Sequence, residues 1–192
     1  MFNRKMLIVV SVLLLVVMAV PSLGATFRKK KITEQQFLEM CKEGNTQGVI
    51  AAINAGVNVN AKDNDDVTAL MCAADFGHTE TVNALIKAGS DVNAKSNTIG
   101  VTALMLAAAN GHTETVNALI DAGADDLTDN DGNTALMYAS AIGNAETVNA
   151  LIVAGSDVKH KDKNGKTALD YARKNPKLKG TDALKQLERL SR

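Results

Sequence analysis

The sequence has no tryptophan, and its aromatic complement is four phenylalanines and two tyrosines in 192 residues. Its 21 Lys+Arg are matched by 21 Asp+Glu. Without a net field or stacking platforms, the chain lacks the electrostatic footprint of a nucleic-acid binder. Two cysteines cannot make a disulfide framework, and the three histidines, at 78, 112 and 160, have no close ligand spacing. No Gly-x-Ser-x-Gly, no phosphate-binding glycine loop, no carboxylate pair in a defined acid/base setting and no nucleophile with a partner can be found. These absences point away from an enzyme and from any cofactor. What is present, 46% hydrophobic and 22% charged residues, is the composition of a chain that buries a core.

Residues 1–25 differ in kind from the rest. Arg4 and Lys5 precede an uncharged, almost wholly apolar run from Met6 to Val20, then Pro21-Ser22-Leu23-Gly24-Ala25. This is the pattern of a secretory signal peptide, with cleavage near Ala25 and a periplasmic or secreted mature chain of residues 26–192. A second reading keeps the run as an anchor, because Met6 to Ala25 is long enough to cross a hydrocarbon core of about 30 Å. Membrane contact is expected only in that case. Thr26 stands where a lipoprotein signal would need its acylated cysteine. Removing the leader leaves a nearly neutral chain with a basic start, Arg28 to Lys31, and acidic middle loops that include Asp63, Asp65, Asp66, Asp125, Asp126, Asp129 and Asp131.

Self-comparison is the informative step. Thr-Ala-Leu recurs at Thr68, Thr102, Thr134 and Thr167; Val-Asn-Ala-Leu-Ile recurs from Val82, Val116 and Val148; Ala-Gly closes successive units at Gly56, Gly89, Gly123 and Gly155. A period near 33 residues divides the chain into about five units, roughly 33–65, 66–99, 100–131, 132–164 and 165–190. Each unit reads as two short helices. Val82, Leu85 and Ile86 form one apolar helical face, while Glu80, Asn83 and Lys87 point away. Helices this short do not persist alone in water, so stacking must hold them. Thr79 and Thr113 stand where a hydroxyl can cap the second helix; Ala145 cannot, which predicts a start weaker by about 1 kcal/mol in the fourth unit. The closing glycines suit a left-handed residue after the last helical turn.

The repeated unit, with Thr-Ala-Leu-Met, then Gly-His-x-Glu, then Val-x-x-Leu-Ile and Gly-x-Asp-Val-Asn-Ala, resembles the ankyrin repeat from about residue 33 to 190. The resemblance implies an all-α solenoid of about five stacked helix-turn-helix repeats with projecting loops, which binds another protein and has no shared catalytic residue. Leader and repeat style together resemble a bacterial exported chain, expected to be a monomer in the periplasm or outside the cell. An exported effector acting on a host protein uses the same surface. A membrane-tethered scaffold, with its leader uncleaved, is the third reading.

Several features depart from the family pattern. Met71, Met105 and Met137 replace the usual histidine of Thr-Pro-Leu-His, so packing should take over from its hydrogen bonds. The loop of the third unit carries one extra residue and that of the fourth one fewer, which predicts an uneven row of loop tips. The ends read as capping repeats of a complete array, with Gln35, Gln36, Glu39, Lys42 and Glu43 facing water at one end and Leu184, Leu187 and Leu190 facing inward at the other.

By resemblance, a partner contacts the loop tips and the exposed ends of the first helices. These positions are Asn64, Asp65, Val67, Asp75 and Phe76; Thr98, Ile99, Val101, Ala109 and Asn110; and Asn130, Asp131, Asn133, Ala141 and Ile142. Phe76, Ile99 and Ile142 are apolar where exposure is expected, as interface anchors are. His78 and His112 recur in Gly-His-Thr-Glu and predict backbone hydrogen bonds rather than a metal; Asn144 takes their place in the fourth unit. The Asp125 to Asp131 cluster lacks the glutamate of a calcium loop and reads as a solvated turn. Cys41 and Cys72 fall in neighbouring units, offset along their helices, and are expected to remain thiols.

Overall fold

The computed structural model describes residues 32–192; the leader and its cleavage point lie outside them. Ten α-helices follow in pairs: α1 (Glu34–Lys42) and α2 (Thr46–Asn54), α3 (Ala69–Asp75) and α4 (Thr79–Lys87), α5 (Ala103–Asn110) and α6 (Thr113–Asp121), α7 (Ala135–Ile142) and α8 (Ala145–Val153), α9 (Ala168–Lys174) and α10 (Asp182–Leu190). A 3-10 turn, Pro176–Leu178, joins the last two. The odd-numbered helices stack on one another in chain order, and the even-numbered ones form a second layer. Among the described residues there is no strand, only one isolated bridge between Lys62 and Thr68. None of their helices is long and apolar enough to cross a membrane.

Composition explains the two layers. The inner helices are apolar almost all round: Ala69 to Ala74 are all buried in α3, and Ala103, Leu104, Met105, Ala107 and Ala108 in α5. Such a helix must be covered on several sides, and its alanines let neighbours approach closely. The even-numbered helices are amphipathic and bury one line each, such as Val82 with Leu85, Val116 with Leu119 and Val148 with Leu151. The first helix keeps Phe37, Leu38 and Cys41 inside and its charged residues in water. In α10 the buried line is Ala183 with Leu187; Leu184 is half-buried and Leu190 is 38% exposed, so the inward role expected of Leu190 does not hold.

Each inner helix starts in the same way. Thr68, Thr102, Thr134 and Thr167 are N-caps whose hydroxyls accept the N–H three residues on, from Met71, Met105, Met137 and Asp170. The three methionines are buried, as their packing role requires. In the last repeat Asp170 restores a polar answer, with one carboxylate oxygen accepting from both the Thr167 N–H and its hydroxyl.

The second helices correct the capping expectation. Their N-caps are Asn45, His78, His112, Asn144 and Thr181, and the asparagines and the last threonine cap: Asn45 accepts from Gly48 N–H, Asn144 from Thr147 N–H and Thr181 from Leu184 N–H. His78 and His112 make no such bond. The helix beginning at Ala145 is therefore better capped than its two predecessors, with Asn144 contributing about 1 kcal/mol. Thr79 and Thr113 instead reach across repeats. Hydroxyls pair as Thr46 with Thr81 at 2.7 Å, Thr79 with Thr115 at 2.8 Å and Thr113 with Thr147 at 2.8 Å. Thr81, Thr115 and Thr147 are fully buried, and the ladder satisfies them.

Candidate protein-binding surface

The surface is built on a column of polar side chains that spaces the repeats. His78 Nε2 donates to the Lys42 carbonyl at 2.8 Å and His112 Nε2 to the Asp75 carbonyl at 3.1 Å. Asn144 Nδ2 donates to the Gly111 carbonyl and Asn175 Nδ2 to the Ala141 carbonyl, one repeat back each time. The histidines thus hold the ends of the inner helices, as backbone hydrogen bonding predicted. Their rings lie over a glycine of the preceding repeat: a Cβ on Gly77, at φ +71°, would sit 2.5 Å from His112 Nδ1.

The loops form a second column. Asp63, Asp129 and Asp162 each accept two backbone N–H groups of their own turn through Oδ1, and Ser96 replaces them in the turn that leads into α5. Successive turns are joined by backbone bonds from Asn97 N–H to Asp65, from Asn130 N–H to Ile99 and from Lys163 N–H to Asp131. The row is therefore continuous, contrary to the uneven one expected. The extra residue is absorbed as a wider turn closed by Gly100 N–H to the Ser96 carbonyl, and this wider turn carries Thr98 and Ile99 outward. The shorter connection after Gly123 does not disturb the Asp129 turn.

Asp129 answers the calcium question. Its two carboxylate oxygens accept from the backbone N–H groups of Asp131 and Asn133, from Asn133 Nδ2 and from the Tyr138 hydroxyl at 2.6 Å. Burial alone pushes its pKa up, but the Tyr138, Asn133 and Asp131 hydrogen bonds outweigh it and hold the carboxyl below its ordinary range. Asp162 has the same latch, with Tyr171 at 2.6 Å, and its pKa is likewise held down, first by that hydroxyl. The Tyr171 phenol is pushed up to about 12 by the same bond. An aspartate followed nine residues later by tyrosine, twice, was the signal available in the sequence.

A pH dependence follows from Asp129. A folded pKa below the unfolded value, about 3.9, gives stability that is complete above that value and is lost as pH falls through the folded one. Tyr138→Phe weakens what holds the pKa down. The variant should therefore be less stable than the parent at pH 7, and this difference should shrink as pH falls below about 4. Urea midpoints of both proteins at pH 7 and pH 2.5 measure it; a constant difference would show that the hydroxyl acts by packing alone.

The cysteines take no part in the surface. Both are buried and free. Desolvation, with Cys72 nearby, pushes the Cys41 thiol up to about 12, and desolvation pushes Cys72 up to about 11. Neither is a nucleophile at neutral pH.

Of the positions expected to meet a partner, Phe76, Ile99 and Ile142 are 55%, 54% and 42% exposed. Phe76 and Ile142 stand at the ends of α3 and α7, and Phe76 lies parallel to the His78 ring at 6.1 Å. Asn64, Asp65, Thr98, Asn110, Asn130, Asp131 and Ala141 are exposed as well, while Val67, Asp75, Ala109 and Asn133 are half-buried. Val101 does not belong with them. It is 6% exposed, because its N–H donates to Ser96 Oγ and its carbonyl accepts from Ser96 N–H, which turns the side chain into the core. Several polar members are tied to the preceding repeat: Thr98 Oγ1 donates to Asp65, Asn110 Nδ2 to Asp75 and Asn130 Nδ2 to the Thr98 carbonyl.

The charge distribution is the feature that residue-by-residue reading missed. Residues 32–158 hold 4 Lys or Arg against 17 Asp or Glu, and residues 159–192 hold 11 against 4. Counting by repeat rather than over the whole chain exposes it.

Stacked helix pairs with hydrogen-bonded loop turns define a helical repeat solenoid, and comparison with known proteins supplies its family. Residues 37–126 and 104–187 match the family model of ankyrin repeats (three copies). The chain belongs to the ankyrin-repeat family, whose members are protein–protein interaction modules and typically not enzymes. No curated protein matches it.

Proposed function

We propose that this chain is an exported, monomeric binding protein that holds another protein stoichiometrically on the face made by the loop tips and the ends of its inner helices. The supporting observation is the exposure of three large apolar side chains on that face, Phe76 and Ile142 at the ends of inner helices and Ile99 at a loop tip between them. A hydrogen-bonded scaffold presents them at little ordering cost, which favours affinity. The leader supports export to the periplasm or beyond, as a resident binder or as an effector. Its twenty uncharged residues from Met6 to Ala25 also support a tethered form, and the N-terminal residue of the exported protein separates the two.

The test is capture of a partner from the envelope fraction, and then from host lysate, by the full chain and by the F76A/I99A/I142A variant. The variant should lose at least about tenfold in partner affinity, because a few anchors carry most of an interface. Its thermal midpoint should move little, since exposed substitutions cost about 0.5 kcal/mol or less each. Equal capture by both proteins would overturn the reading, and a large loss of stability would place these residues in the core.

A further inference from the structure

Beside Ile142, between the last two repeats, lies a cleft of about 370 Å³ lined by Ala141, Ile142, Tyr171, Lys174, Pro176 and Lys177. Its wall is fixed. Asn175 also lines it, donates from Nδ2 to the Ala141 carbonyl and accepts the Lys177 N–H on Oδ1. The Tyr171 hydroxyl is committed to Asp162. Lys174 and Lys177 remain: both are exposed, and among the described residues neither is in an ion pair. Lys174, in the last turn of α9, complements the helix dipole; Lys177 lies beyond that helix.

We infer that this cleft binds an acidic segment of a partner protein, seating an apolar side chain against Ile142 and Pro176 while its carboxylates meet Lys174 and Lys177. The inference rests on the protein-binding reading above and names the chemistry of the partner. Charge carries the argument further than the cleft alone. The last repeat is the basic end of an array whose first three repeats are acidic, so an acidic ligand is repelled along those three and drawn to the fifth. A second copy of this chain is the weaker occupant. Its own leucine among aspartates, Leu127 in Asp125-Asp126-Leu127-Thr128-Asp129, is half-buried, and Asp129 is committed to its own turn and to Tyr138.

The probe is a short fluorescein-labelled peptide with one leucine set among aspartates, read by fluorescence anisotropy against the full chain at low salt. Binding is expected, with affinity reduced at least about tenfold by K174E/K177E and substantially by K174Q/K177Q. K87Q, at an exposed lysine of the second repeat, should bind as the parent does. The thermal midpoints of the lysine variants should match the parent, which separates lost contact from lost fold. No binding, equal binding by the lysine variants, or equal binding of a peptide with serine for leucine would overturn the assignment. So would sedimentation showing self-association that K174E/K177E abolishes, since the occupant is then a second copy. Partner capture that persists without probe binding removes the acidic-segment inference and leaves the protein-binding reading standing.

Discussion

Replacing Gly77 with alanine should lower the free energy of unfolding by about 2–4 kcal/mol, with about 1–2 kcal/mol from the left-handed backbone and the rest from the histidine above it. Gly77 has φ +71°, and the added Cβ would lie 2.5–2.8 Å from the His112 ring. That ring cannot stay where it is, so the Asp75 carbonyl loses its donor and the joint between the second and third repeats opens. Gly89 supplies the control. It has φ +90° and nothing within 4 Å of an added Cβ, so Gly89→Ala should cost only the backbone share, about 1–2 kcal/mol. Urea unfolding of both variants decides. Equal losses would mean that the histidine column does not hold the repeats together.

Truncation of a central core residue should have an effect as large. Leu119 is fully buried in α6, between α4 and α8, and Leu119→Ala should cost about 2–5 kcal/mol through lost transfer energy and the cavity left behind. Position in the array adds to this. A solenoid is held by nearest-neighbour interfaces, so a weakened third repeat uncouples the two ends, and the unfolding transition should broaden. Leu190→Ala, at a residue 38% exposed in the last turn of α10, should shift the midpoint by about 0.5 kcal/mol or less. Circular dichroism during urea titration reports both; a sharp, single transition for Leu119→Ala would show that the array unfolds as one unit.

These effects arise from residues that read very differently in the sequence. Leu119 belongs to a Val-Asn-Ala-Leu-Ile segment whose apolar spacing places it inside without any knowledge of neighbours. His112 carried a sound but incomplete signal: recurrence in Gly-His-Thr-Glu made it structural, yet its acceptor, the Asp75 carbonyl, is 37 residues away. Thr79 and Thr113 misled, because a hydroxyl at a helix start is ordinarily a cap. Here the N-cap falls one residue earlier, and the hydroxyls find better partners on Thr115 and Thr147. Val101 misled for a related reason. Its place beside a loop tip suggested exposure, but the Ser96 bonds of the widened turn direct it inward. At the candidate surface, Phe76, Ile99 and Ile142 were legible as apolar residues at expected tips, whereas the cleft beside Ile142 was not, because Asn175 and Ala141 become its wall only when the fourth and fifth repeats stack.

The sequence by itself determined the period, the two helices of each repeat, the glycines that end them and the aspartates that begin the turns. All of these are local preferences of backbone and side chain, repeated often enough to be unmistakable. Charge by repeat belongs with them, since it requires only counting. Tertiary structure decided which polar groups cap a helix and which bridge two repeats, which loop residue faces water, and where a groove opens beside an exposed anchor. The physical reason is the distance along the chain to each partner. Hydrogen bonds such as Asp91 N–H to Asn60 or His112 to Asp75 join residues 31 and 37 positions apart, and their choice among competing donors is settled only once one repeat lies against the next.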